Sequence, residues 1–124
     1  MLILLFATLG GLITFKLSVL PWMNAIRASS ISTLVCYSLV AYIIGIETAN
    51  NYACIFFGGS FVGMTSSRRL SSRGVVAAAC IFGAISSLLL PFLEGIGGAL
   101  GVCAFLSVSA VHLTKMATAA RKSN

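Results

Sequence analysis

Groups able to do acid–base or nucleophilic chemistry are scarce in this sequence. It holds two carboxylates, Glu47 and Glu94, one histidine, His112, and four cysteines, Cys36, Cys54, Cys80 and Cys103. General acid–base catalysis needs titratable groups within hydrogen-bond reach of one another. A metal site needs several imidazole, thiolate or carboxylate ligands together. The cysteines form no C-x-x-C pair, and each falls in a different apolar run. They read as reduced thiols acting as small apolar side chains. His112 stands near the end of the last apolar run, away from both acids in sequence. The sequence therefore points away from an enzyme and calls for no metal or other cofactor.

The most distinctive run is FFGGSFVGMTSSRR, residues 56–69. A Gly-Gly-Ser step inside an apolar segment suggests a weakened helix. Its freed carbonyls and hydroxyls would line a path for a solute or ion, since irregular backbone at membrane depth must be buried in protein or line a cavity. Gly58, Gly59, Ser60, Thr65 and Ser66 are the candidate lining. The plainer reading is a close-packing face followed by a basic loop. Gly59, Gly63 and Ser67 recur at four-residue spacing, as do Ala79, Gly83 and Ser87. That spacing puts small side chains on one helix face and lets backbones approach closely.

Two charges carry their own question. Glu94 lies in LLLPFLEGIGGAL. Pro91 ends or kinks the helix before it, and the glycines after it permit a tight reversal. Glu94 is therefore read as a turn residue outside the bilayer, with a cavity-facing carboxylate as the sharper alternative. Lys16 lies one helix length from the start of the first apolar run. It reads as an interfacial anchor that snorkels to the headgroups, with a buried pathway cation as the sharper alternative.

The elements that must position these groups follow from composition. Hydrophobic residues make up 59% of the 124 and charged residues only 8%. A soluble domain carries about 25% charged residues, so this chain has too few to cover a water-facing surface. The expectation is an all-α, polytopic transmembrane helical bundle forming a single integral membrane domain over residues 1–124. Its five helices are placed at about 1–20, 30–46, 51–66, 75–92 and 96–114. About 20 residues cross the ~30 Å hydrocarbon core, and the runs do not alternate as barrel strands would. The first run lacks the basic region of a signal peptide and is expected to remain as a helix.

All eight basic residues fall in three places: Lys16 and Arg27; Arg68, Arg69 and Arg73; and Lys115, Arg121 and Lys122. Both acids fall in the two remaining connections. A five-helix path puts the basic places on one side and the acids on the other. Helices two and three, and four and five, then form two hairpins with acidic outer turns. The positive-inside rule orients the N-terminus outside and the C-terminus in the cytoplasm, as in a bacterial inner membrane. Trp22, Met23 and Ile26 read as lipid-facing residues of the interface. The net charge of +6 reads as orientation and contact with anionic headgroups, through Arg68, Arg69 and Arg73, rather than as a nucleic-acid surface.

In size the chain is similar to small multidrug transporters and fluoride channels. The former carry a glutamate in the first helix, where this chain has none. The GGSFVGMTSS run matches the latter only over ten residues, without their asparagine in an earlier helix, and no family follows from it. Two functions remain in view. One is an oligomeric channel or transporter for a small solute or ion. The other is a non-catalytic accessory or assembly subunit of a larger membrane complex. The partners expected are the lipid bilayer and either further copies or a larger membrane protein.

Overall fold

A computed structural model describes residues 1–92 and 98–124. Among the described residues the chain is all helical. The elements are α1 (Leu2–Ser18), α2 (Ala25–Ile43), α3 (Ile46–Gly63), α4 (Ser72–Leu89) and α5 (Ala99–Ser123), with a 3-10 turn at Leu90–Phe92. α2, α4 and α5 are each long and apolar enough to cross a bilayer, and α1 is a shorter apolar helix. Only 22%, 33% and 17% of the residues in the three spans are buried inside the protein. Exposed large apolar side chains such as Leu34, Leu39, Ile43, Leu88, Val102 and Phe105 coat the outside. A surface of this kind is stable in lipid and not in water, so the chain is an integral membrane protein.

The helix directions follow from which residues meet. Ala7 of α1 lies against Gly59 of α3, and Gly11 against Gly63, so residue numbers rise together and α1 and α3 are parallel. Gly11 meets Ala79 of α4, whereas Ala7 and Leu4 meet Gly83, so α4 runs antiparallel to α1. α3 touches α1, α2, α4 and α5 and is the centre of the bundle. Its buried residues include Ala49, Ala53, Phe56, Gly58, Gly59, Ser60, Val62 and Gly63. The apolar core joins Ala7 and Phe15 of α1, Ile55 and Val62 of α3, Val75, Ala78, Ala79 and Phe82 of α4, and Cys103 and Ala104 of α5.

Several helix boundaries differ from those expected. α2 begins at Ala25 rather than 30, and α3 at Ile46 rather than 51. The polar residues that resemble a loop are accommodated in the helices. Ser29 is buried with its Oγ 2.6 Å from Ser60 Oγ, and Arg27, Glu47 and Asn50 are exposed on the helix surfaces. The α2–α3 connection shrinks to Ile44 and Gly45, the latter at φ 116°, a conformation that favours glycine. Glu47 therefore stands in the first turn of α3, not in a connecting turn. There a carboxylate opposes the positive end of the helix dipole favourably. Glu94 lies outside the described residues. α4 ends at Leu89, two residues before Pro91, as proline geometry requires. α5 continues to Ser123 rather than ending at 114, so the expected C-terminal tail is helical. Met23, expected to face lipid, is buried, while Trp22 and Ile26 are exposed.

Candidate functional site

The Gly-Gly-Ser step lies where α1, α2 and α3 converge. α3 is an unbroken helix through Gly58, Gly59 and Ser60 to Gly63. The two glycines face different neighbours. A Cβ at Gly59 would press into the Ala7 backbone, and one at Gly63 into the Gly11 backbone and Thr14. From α1, a Cβ at Gly10 would meet the Phe56 carbonyl. Gly58 instead faces α4, where a Cβ would run into the Phe82 ring. The glycines thus let α1 and α3 touch backbone to backbone. Apolar contact alone does not drive helix association in lipid, so close approach of this kind is a main source of packing energy there.

Beside this seam lies a cluster of four buried hydroxyls: Thr14, Ser29, Ser32 and Ser60. Ser60 Oγ lies 2.6 Å from the Phe57 carbonyl and 2.6 Å from Ser29 Oγ. Each hydroxyl has one proton. Ser60 gives its proton to Phe57, so Ser29 donates to Ser60. Ser32 gives its proton to the Ser29 carbonyl, so Thr14 donates to Ser32 across 3.4 Å. These four hydroxyls thus find partners within the bundle, as burial in a low-dielectric interior demands, whereas the buried Ser86 Oγ has none among the described residues. This arrangement fixes the register of three helices against one another.

The other residues singled out from sequence are dispersed. Thr65 is half-buried, with its hydroxyl on the Val62 carbonyl at 2.8 Å. Ser66 is exposed, and its Oγ accepts from the Arg68 amide at 3.4 Å. Lys16 is exposed in the last turn of α1. Arg68, Arg69 and Arg73 are exposed, and the buried Leu70 pins their loop to the core. Lys115 Nζ donates to the Arg69 carbonyl at 3.3 Å, so α5 passes beside that basic loop at Lys115. Among the described residues, no group of three or more His, Cys, Asp or Glu gathers as metal ligands would.

An open pocket of about 380 Å³ lies at the opposite end, between the starts of α1 and α3. Glu47, Thr48, Asn51 and Tyr52 line it together with Ile3 and Ile55. Tyr52 also stacks on Phe6 of α1, with ring centroids 4.8 Å apart. The sequence reading did not single out Asn51 and Tyr52. Their signal is the four-residue spacing from Glu47 and Thr48, which puts each pair on one helix face. Thr14, Ser29 and Ser32 were likewise not singled out, because a lone hydroxyl in an apolar run carries no pattern until its partner helix is known. No protein-family model, curated protein or solved structure matches the chain.

Proposed function

We propose that the chain is a non-catalytic accessory or assembly subunit that packs against a larger protein in a bacterial inner membrane. The observation that carries this is the use of the Gly-Gly-Ser step. Gly59, Ser60 and Gly63 are buried against α1 and α2, and Gly58 against α4. Opening a solute path along them would mean parting helices that touch backbone to backbone. Meanwhile α2 and α5 present broad apolar faces outward, and such faces suit lipid or another membrane protein. In the proposed topology α2–α3 and α4–α5 are two hairpins. Glu47 and Glu94 lie on the outer side, the N-terminus is outside and the C-terminus is cytoplasmic. Arg68, Arg69 and Arg73 then lie among anionic headgroups, at about 1 kcal/mol for each surface cation.

The second reading, an oligomeric channel or transporter, is favoured by the polar side chains Glu47 and Asn51 in the open pocket beside α1. A carboxylate and a carboxamide at the outer end would suit the first binding step of a small cation.

The test is native mass spectrometry of the tagged full-length chain, captured at endogenous expression in mild detergent. A complex of fixed stoichiometry with a different membrane protein supports the subunit reading. Recovery only as self-oligomers counts against it. Self-oligomers whose liposome flux falls on Glu47→Gln would establish the second reading. Glu47 is exposed, so that substitution leaves the packed seam intact.

A further inference from the structure

A groove of about 400 Å³ runs between α1 and α2 on the outer surface of the bundle. Its walls are Phe6, Ile13 and Leu17 from α1 and Ile31, Val35 and Leu39 from α2. From Phe6 to Leu17 is about 16 Å along the helix, at about 1.5 Å per residue. One leaflet of a ~30 Å hydrocarbon core is about 15 Å deep. The groove is therefore apolar over the depth of one leaflet and opens sideways to the bilayer.

Its basic end is as informative as its walls. Lys16 adjoins Leu17, and Arg27 lies one turn before Ile31. Both cations are exposed. Arg27 stands in the first turn of α2, which holds no acidic residue. A cation there adds to the positive end of the helix dipole, an arrangement that disfavours itself unless an anion is near. Neither acid of the chain lies near this end in sequence: Glu47 begins α3, and Glu94 lies between α4 and α5. The exposed Trp22 lies in the same α1–α2 connection, a residue type that prefers the headgroup level.

We propose that this groove is a binding site for an anionic phospholipid. One acyl chain lies along Ile13, Val35 and Leu39, and the phosphate is held by Lys16, Arg27 and the start of α2. Charge complementarity and the match of groove length to leaflet depth select a lipid over a helix of another protein, which would need no anionic group at this end. The inference rests on the bundle spanning a bilayer and is independent of the choice between subunit and transporter.

The experiment offers equal amounts of dioleoyl phosphatidylglycerol and dioleoyl phosphatidylcholine to the delipidated full-length protein and weighs the adducts by native mass spectrometry. The expected result is one retained phosphatidylglycerol. Each cation near a membrane surface contributes about fivefold. Combined Lys16→Gln and Arg27→Gln should therefore weaken retention about thirtyfold, towards that of phosphatidylcholine. Val35→Trp, made on an exposed side chain, fills the groove and should displace the lipid with both cations still in place. Arg68→Gln with Arg69→Gln and Arg73→Gln should leave the adduct unchanged. In the unaltered protein, phosphatidylglycerol should slow N-ethylmaleimide labelling of Cys36, which lines the groove. Equal retention of the two lipids would overturn the proposal. So would loss of the adduct only in the triple arginine variant, or unaltered Cys36 labelling.

Discussion

Gly59→Ala tests the backbone contact between α1 and α3 most directly. The added Cβ would lie 2.8 Å from Ala7 Cα and 2.9 Å from its carbonyl carbon, with the carbonyl oxygen closer still. Carbon atoms rest at about 3.5–4.0 Å, so the helices must part by about 1 Å. A gap of that size forfeits roughly a quarter to a half of each contact, at ~0.1–0.2 kcal/mol per atom pair. Over some tens of pairs along Ala7, Gly10, Gly11 and Thr14, the loss is about 2 kcal/mol, within the usual range for overpacking. Gly101→Ala is the control. It lies in α5 with nothing within 4 Å of its would-be Cβ, and any gain in helix propensity from alanine is common to both. The assay is sodium dodecyl sulfate titration in mixed micelles, read by the fluorescence of Trp22, the single tryptophan. Gly59→Ala should cost about 2 kcal/mol more than Gly101→Ala by the same overpacking argument.

The clash at Gly59 is with main chain, so Ala7→Gly should not rescue it. At Gly58 the obstacle is the Phe82 side chain, with its nearer ring carbons at up to 3.1 Å. Gly58→Ala should therefore be largely rescued by Phe82→Leu. If Gly59→Ala and Gly101→Ala differ by less than about 0.5 kcal/mol, below the overpacking range, the seam is looser than argued and the reasoning fails.

Two further predictions follow from the same geometry. Ser60→Ala removes the acceptor for Ser29 and should cost about 0.6 kcal/mol, the usual size of an interhelical hydrogen bond in lipid; adding Ser29→Ala should cost little more, and full additivity in the double-mutant cycle would disprove the pairing. In a cysteine-free background, Ser71→Cys and Ser123→Cys should label with an impermeant maleimide from the cytoplasmic side, and Asn50→Cys from the outer side. Labelling of Asn50→Cys and Ser71→Cys from one side would refute the topology.

The helices were legible from sequence because long apolar runs with few charges have one stable solution in lipid. Their starts were less so. Arg27 and Ser29, like Glu47 and Asn50, resemble loop residues by hydropathy, yet they stand in the first two turns of α2 and α3. Hydroxyls that bond the preceding turn's carbonyls enter a helix without leaving a donor unmatched. The same device extends α5 past residue 114, where Thr114 donates to the Ala110 carbonyl and Thr118 to the Thr114 carbonyl, each at 2.7 Å. The spacing of Gly59 and Gly63 marked a packing face but could not name its partner. Ala7, Gly10 and Gly11 meet that face only once the chain direction is fixed.

The helix in contact with all four others, α3, is not among those apolar enough to count as a candidate span. Glu47, Thr48, Asn50 and Asn51 in its first half lower its hydropathy, while its second half is packed among its neighbours. A helix walled in by neighbours has little surface to present to lipid, so it does not need large apolar side chains on every face. It needs small residues that admit backbones and hydroxyls that find partners, and Gly58, Gly59, Ser60 and Gly63 supply them. The outer helices α2 and α5 carry the opposite requirement, and only 22% and 17% of their spans are buried. An apolar enlargement on the outward face of α2 or α5 exchanges one lipid contact for another, whereas one methyl group at Gly59 meets main chain.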